Sequence, residues 1–302
     1  MGMVPVRLVR RFPARVGSEA LARIVASLRE QIDAIRGHAA GARRGSDPEE
    51  VHEMRTAARR LRAILRAVRS GFDRAWVEAL RSELDWLGST LGAVRDLDVL
   101  REHLRDELAA LEDSTRRRSA SLQLSECLDV EHSRARAKLL AALDSPRYRE
   151  LLRRLDEAVR QSRVATADLS LPRIAARQFK KLRKAVKALP AEPSNAELHA
   201  VRIEVKRARY AAELAAEEVG RPAACFVDKA KKVQDILGEH QDAVMAESRI
   251  RAWLRGIRSS PATWLREHLI KRQRARRQEA RKAFWKRWPR LKRRGQIGRA
   301  HV

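Results

Sequence analysis

The chain of 302 residues can form one large domain or two smaller units, and its 44% apolar share supplies a sizeable core despite 35% charged residues. Its 66 Lys and Arg against 39 Asp and Glu give a formal charge of +27, which opposes compaction and favours a polyanionic partner: nucleic acid, polyphosphate or an anionic membrane surface. No stretch approaches the ~20 apolar residues of a bilayer span, and Val, Ile and Thr form no alternating runs, so the expected fold is all-α.

The N-terminal segment, 1–17, is basic and slightly apolar but lacks the uninterrupted apolar run of a signal peptide. A first helix is expected over 18–40, ending near Gly41. Ser46-Asp47-Pro48-Glu49 then offers a side-chain cap and an early Pro, which starts a helix reaching about Ser70. Breakers divide the next stretch of chain into helices over 74–91, 96–111, 119–143 and 146–163. A second series is expected over 172–189, 195–219, 222–237, 242–256 and 261–287. From Pro289 the chain is expected to be a disordered basic tail, 289–302. The stretch from Lys271 onward carries 14 basic residues and one acid, so the remainder still holds +14, and the tail cannot account for the whole charge.

Two separated motifs repeat. Val51-His52-Glu53-Met54-Arg55-Thr56-Ala57-Ala58-Arg59-Arg60-Leu61-Arg62 pairs with Leu198-His199-Ala200-Val201-Arg202-Ile203-Glu204-Val205-Lys206-Arg207-Ala208-Arg209. Downstream, Leu91-Gly92-Ala93-Val94-Arg95-Asp96 pairs with Leu237-Gly238-Glu239-His240-Gln241-Asp242. The offsets are 147 and 146 residues, which points to a duplicated helical unit, 18–165 and 166–288, packed about an approximate two-fold axis.

At about 100° per residue, Met54, Ala57, Ala58, Leu61, Leu65 and Val68 fall on one face of the first motif helix. His52, Arg55, Arg59, Arg62 and Arg66 fall on another, a stripe roughly 20 Å long. Like charges at this spacing repel, and a chain of phosphates would relieve that repulsion. In the second copy His199, Arg202, Lys206 and Arg209 run between two apolar strips, so this stripe is expected to line a groove between packed helices; Glu213 stands where the first copy has Arg66. Both histidines are expected in the first helical turn, either as phosphate donors or as packing residues. Lesser basic rows are Arg173, Arg177, Lys180, Lys184 and Lys187, the pair Arg134 and Lys138, and Arg274, Arg277 and Arg281; each is a solvated face or a ligand contact.

Signals for an enzyme are missing. His52-Glu53-Met54-Arg55-Thr56 begins like a zincin helix, but Thr56 replaces the second His. No phosphate loop, dinucleotide fingerprint or nucleophile elbow occurs, and no cofactor or metal is expected. Asp96 and Asp242 either cap a following helix or pair with motif arginines, while Gly92 and Gly238 are helix ends or close-packing sites. Cys127 and Cys225 show no metal-like spacing, which fits a reducing cytoplasm.

The paired His motifs, the two Leu-Gly-x-x-x-Asp segments and the stretch from Ala135 to Tyr148 resemble the CHAD domain, the conserved histidine α-helical domain, over about 18–287. The resemblance implies two pseudo-symmetric helical bundles around a basic central channel, non-catalytic binding of inorganic polyphosphate, and association with polyphosphate granules in the cytoplasm. It carries His52, Arg55, Arg59, Arg60, Arg62, His199, Arg202, Lys206, Arg207 and Arg209 into the binding site. The basic rows add Arg66, Arg134, Lys138, Lys180 and Lys184 as candidate contacts. Lys206 departs from Arg in the first copy, keeping charge but losing the planar fork. Some relatives carry an N-terminal CYTH triphosphatase domain; the N-terminal segment here is too short for one and no Glu-x-Glu-x-Lys motif occurs, so hydrolysis is not implied. The competing expectation is a nonspecific nucleic-acid binder using the basic tail; the scarcity of aromatics argues against single-strand stacking.

Overall fold

A computed structural model describes residues 16–109, 115–160, 170–255 and 260–295. Most of the N-terminal segment, the expected junction between halves at 165/166 and the tail from 296 onward lie outside the described residues. Among the described residues the fold is all helical, with no strand. The helices are α1 (Val16–Arg44), α2 (Pro48–Val68), α3 (Arg74–Ala109), α4 (Thr115–Asp144), α5 (Pro146–Arg160), α6 (Leu171–Lys187), α7 (Asn195–Leu214), α8 (Ala216–Val219), α9 (Arg221–Trp253) and α10 (Ser260–Arg294). None is long and apolar enough to cross a membrane.

Local chemistry sets the helix starts. The Asp47 side chain accepts from the Glu49 amide at 2.8 Å ahead of Pro48, and α7 opens on a reciprocal box between Ser194 and Glu197. The turn between α1 and α2 needs glycine. Gly45 has φ of 72°, and a Cβ there would collide with the Arg136 guanidinium. Arg136 reaches in from α4 and donates to the carbonyls of Ala42 (3.1 Å) and Arg43 (2.6 Å), closing the end of α1.

In the first half α2 lies between α1 and α3; in the second, α7 lies between α6 and α9. The two motif helices also touch each other. Each is held by its apolar face: Met54, Ala57, Ala58, Leu61, Leu65 and Val68 of α2 are all buried, as are Leu198, Val201, Val205 and Ala208 of α7. Each fully buried Leu or Val contributes about 1.5–3 kcal/mol. Of the second apolar strip expected on α7, Tyr210 and Leu214 are buried and Ile203 is half-buried.

Several boundaries depart from sequence expectation: α1 runs past Gly41 to Arg44, and the helix expected over 195–219 divides at Ala215 into α7 and α8. The breaks expected between 91 and 96 and between 237 and 242 do not occur; α3 and α9 run straight through Gly92 and Gly238. Glycine weakens a helix by about 0.5–1 kcal/mol but does not end one that is packed on both sides. The tail expected to be disordered from Pro289 stays helical to Arg294. Phe284, Trp288 and Leu291 continue one buried stripe on α10, and Gly295 abuts the ring of Phe179 on α6. Pro289 is itself exposed and removes only one backbone bond, so this packing outweighs it.

Candidate functional site

α2 and α7, with α3 and α9 beside them, line a half-open cavity of about 460 Å³. Arg55 and Arg59 enter it from α2 and Arg202 from α7, with His52 and His199 further along its wall. The repeated Leu-Gly-x-x-x-Asp segments now have a physical reading. The Arg55 guanidinium lies across Gly92, where an added Cβ would stand 3.3 Å from its Nε; that of Arg202 lies across Gly238, with 3.6 Å to the nearest nitrogen. Four residues on, and so on the same helical face, sit Asp96 and Asp242. Arg55 pairs with Asp96 at 3.1 Å, and Asp242 acts on Arg202 electrostatically. The glycine clears the space and the aspartate holds the charge in it. Asp96 therefore pairs with its motif arginine, while Asp242 acts on Arg202 through its charge without an ion pair; neither caps a helix.

Burial depresses the pKa of Arg55 and Arg202, with the neighbouring aspartates opposing it. The Nε atoms of Arg59 and Arg202 are buried without a hydrogen-bond partner, and neither side chain makes an ion pair among the described residues. An unpaired buried donor costs about 1–3 kcal/mol, and Arg60 and Arg81, which do not line the cavity, carry a buried Nε of the same kind. Burial, then Arg95, holds His52 below the usual histidine range. His199 is anchored through Nδ1, 3.0 Å from Oε1 of Gln241. Both histidines are the fifth residue of their helix, so their own amides lie beyond the four free N–H groups expected to favour an anion in the first turn.

The wall is less uniformly basic than the sequence stripe suggested. Five arginines face four carboxylates among its described residues. One carboxylate, Glu239, is drawn off to Arg276 of α10 at 2.6 Å. Burial raises the Asp242 carboxyl, which favours its neutral form. Arg95 and Arg249 line the cavity although no stripe singled them out. Arg95 was legible, since it precedes Asp96 in the repeated segment; Arg249 was not. Glu49, His52 and Glu53, at i, i+3 and i+4, also bring ligand atoms within 4.8 Å of one another, a grouping that histidine spacing alone does not reveal.

The other expected contacts separate into three groups. Lys206 is not among the residues lining the cavity; burial, then the positive charge of Arg202, Arg59 and Arg55, pushes its pKa down to about 6. Further along α2, Arg62 and Arg66 converge with Arg207 of α7 and Arg81 of α3; burial, then these neighbours, lowers the pKa of both Arg62 and Arg66. Within that cluster Arg62 pairs with Asp85 and Arg207 with Glu204. Neither these four nor the remaining six line the cavity. Arg60 turns into a separate pocket beside Tyr210 and Glu213. Arg209 is buried and already engaged: it pairs with Glu213 at 2.5 Å, donates to Gln234 at 3.0 Å and stacks 4.2 Å above the Tyr210 ring. Arg134 and Lys138 on α4 and Lys180 and Lys184 on α6 are exposed, because those helices use their apolar faces for packing.

The model of the CHAD domain matches residues 26–251. The chain belongs to the CHAD family. Two uncharacterized proteins of Mycobacterium tuberculosis, MT2285 and Rv2226, are each 31% identical over 214 residues. That match spans 67% of this chain and 40% of each relative, so the CHAD region here corresponds to less than half of those proteins. PptA from Streptomyces chartreusis superimposes with a TM-score of 0.74 at 25% identity, covering 89% of this chain and 98% of its own. The CHAD domain of the plant Ricinus communis gives 0.68 at 25% identity, covering 95% and 96%. Helix α10 falls beyond the residues matched by the family model and packs against α9.

Proposed function

We propose that this chain binds inorganic polyphosphate without catalysis, in a basic channel between two pseudo-symmetric helical halves, at polyphosphate granules in the cytoplasm. The observation that carries this reading is the convergence of Arg55, Arg59 and Arg202 from two helices on one cavity, with Arg59 and Arg202 in no ion pair among the described residues. Membership of the CHAD family supports it, as do the matched pairs of Arg55 with Gly92 and Arg202 with Gly238 at equivalent places in the repeat. The Arg62, Arg66, Arg81 and Arg207 cluster would extend the path. Arg66 lies 11 residues beyond Arg55, roughly 16 Å along the helix axis, which a chain ligand can span and a single phosphate cannot.

The test is polyphosphate titration followed by anisotropy at increasing salt. If about five phosphates are contacted, affinity will fall by roughly 100-fold between 50 and 200 mM salt, by analogy with flexible nucleic acid strands. Duplex DNA at equal phosphate concentration is expected not to displace the polymer. Efficient displacement would favour a nucleic-acid binder using the exposed basic face of α10. Release of phosphate with Mg²⁺ or Mn²⁺ would contradict the non-catalytic reading.

A further inference from the structure

Two residues of the cavity wall are held from outside the four helices that line it. His103 of α3 and Glu239 of α9 both line the cavity, and both are gripped by Arg276 of α10. The Arg276 Nη2 donates to His103 Nε2 at 3.0 Å and to a Glu239 carboxylate oxygen at 2.6 Å. Its Nη1 donates to Oε1 of Gln273, one turn back on α10, at 3.1 Å. The Gln273 amide nitrogen in turn donates to both carboxylate oxygens of Glu107 on α3, at 2.9 and 3.1 Å. Gln273 and Glu107 are buried, so this chain of bonds fixes the guanidinium before any ligand arrives. Arg276 itself does not line the cavity, and it lies beyond the residues 26–251 that the family model matches.

Each grip has a consequence for an anion. A guanidinium has no acceptor, so His103 presents Nε2 as a bare lone pair. The neutral ring then carries its proton on Nδ1, and among the described residues His103 makes no other hydrogen bond. Nδ1–H is thus a spare donor on a cavity-lining residue. Glu239 presents the opposite problem, a negative charge in a wall that phosphate has to approach. That charge is felt among the arginine seats: burial raises the Asp242 carboxyl, Arg202 opposes the rise, and Glu239 adds to it. Arg276 offsets the Glu239 charge at contact distance. Packing alone does not call for this guanidinium, since Leu265, Leu269, Phe284 and Leu291 of α10 are all fully buried without it.

We propose that Arg276 is a positioning residue of the phosphate site: it holds the Glu239 charge off the anion path and sets His103 with Nδ1–H as a donor to phosphate. The inference rests on the polyphosphate reading of the cavity. It makes α10 part of the site although α10 supplies no residue to the wall. Arg276→Ala deletes one positive charge and releases one negative charge, both partly exposed, so affinity is expected to fall by roughly 3–10-fold at low salt.

Polyphosphate titrations of the full chain at low salt compare Arg276→Ala alone, with Glu239→Gln added, and with Glu279→Gln added. Glu279 is exposed on α10, paired with Lys282 and outside the cavity, so the two double variants carry the same net charge. Affinity is expected to recover with Glu239→Gln and not with Glu279→Gln. Equal recovery in the two, or recovery in neither, overturns the proposal. A second arm needs no ligand: the imidazole ¹⁵N shifts of His103 at about pH 8. The natural chain is expected to hold the proton on Nδ1, and Arg276→Ala to move it toward Nε2 with the circular dichroism unchanged. A proton on Nε2 in the natural chain, or one tautomer common to both, overturns the assignment. Failure of every variant to bind polyphosphate, with the His103 shifts still answering to Arg276, rejects the ligand and leaves the positioning of His103 established.

Discussion

Replacing Arg55, Arg59 and Arg202 together by alanine is expected to abolish measurable polyphosphate binding while leaving the helical circular dichroism unchanged. Hydrogen bonds to charged groups contribute about 1.5–3 kcal/mol each, so three lost guanidinium contacts amount to roughly 5–9 kcal/mol, or more than a thousandfold in affinity. The fold should tolerate the change, because the apolar faces of α2 and α7 do not include these residues and the substitutions remove mutual repulsion. Asp96 and Asp242 lose their partners, but Asp96 is about half exposed and the Asp242 carboxyl is already shifted up by burial, so neither is left as a fully buried charge. The matched control is Arg134 with Lys138, exposed on α4 and outside the cavity, whose double replacement should leave tight binding intact. Equal losses in the two variants would mean that general charge governs binding.

Gly92 and Gly238 are expected to respond differently to substitution although they occupy equivalent places in the repeat. At Gly238 an alanine Cβ would sit in ordinary contact with Arg202, 3.6 Å from its nearest nitrogen. Gly238→Ala should therefore retain binding and gain about 0.5–1 kcal/mol from helix propensity, read as a raised urea midpoint. At Gly92 the same atom would press on Arg55 at 3.3 Å, and a longer side chain would occupy the space of the guanidinium. Gly92→Leu should lower polyphosphate affinity by about 10–100-fold, the worth of one displaced charge-assisted contact, with helicity retained. If Gly92→Leu binds normally, Arg55 does not need its seat on α3.

The helical faces of α2 and α7 were legible from periodicity because a 3.6-residue repeat fixes which side chains share a side. Met54 to Val68 fell on the buried side without exception. What lies opposite a face is a tertiary fact that one helix cannot encode. Arg209 belongs to the stripe by spacing, yet Gln234 on α9 and the Tyr210 ring claim it first. Of the four carboxylates of the cavity wall, Asp96 and Asp242 were legible from the repeated Leu-Gly-x-x-x-Asp segments, whereas nothing in the stripes on α2 and α7 hinted at Asp235 and Glu239 of α9. Gly92 and Gly238 read locally as breakers, whereas packing on both sides carries their helices through. The close-packing alternative for these glycines was the one that geometry supports. Pro289 misled for the same reason: a local breaker was weighed without the Phe284, Trp288 and Leu291 stripe around it.

The central claim is that the two repeated helices serve one polyanion site. A crystal structure of the chain with a defined polyphosphate oligomer tests it most directly. The account predicts phosphates between α2 and α7, within hydrogen-bonding distance of Arg55, Arg59 and Arg202 together. Phosphates held instead on the outer face of α10, with that cavity empty, would contradict it.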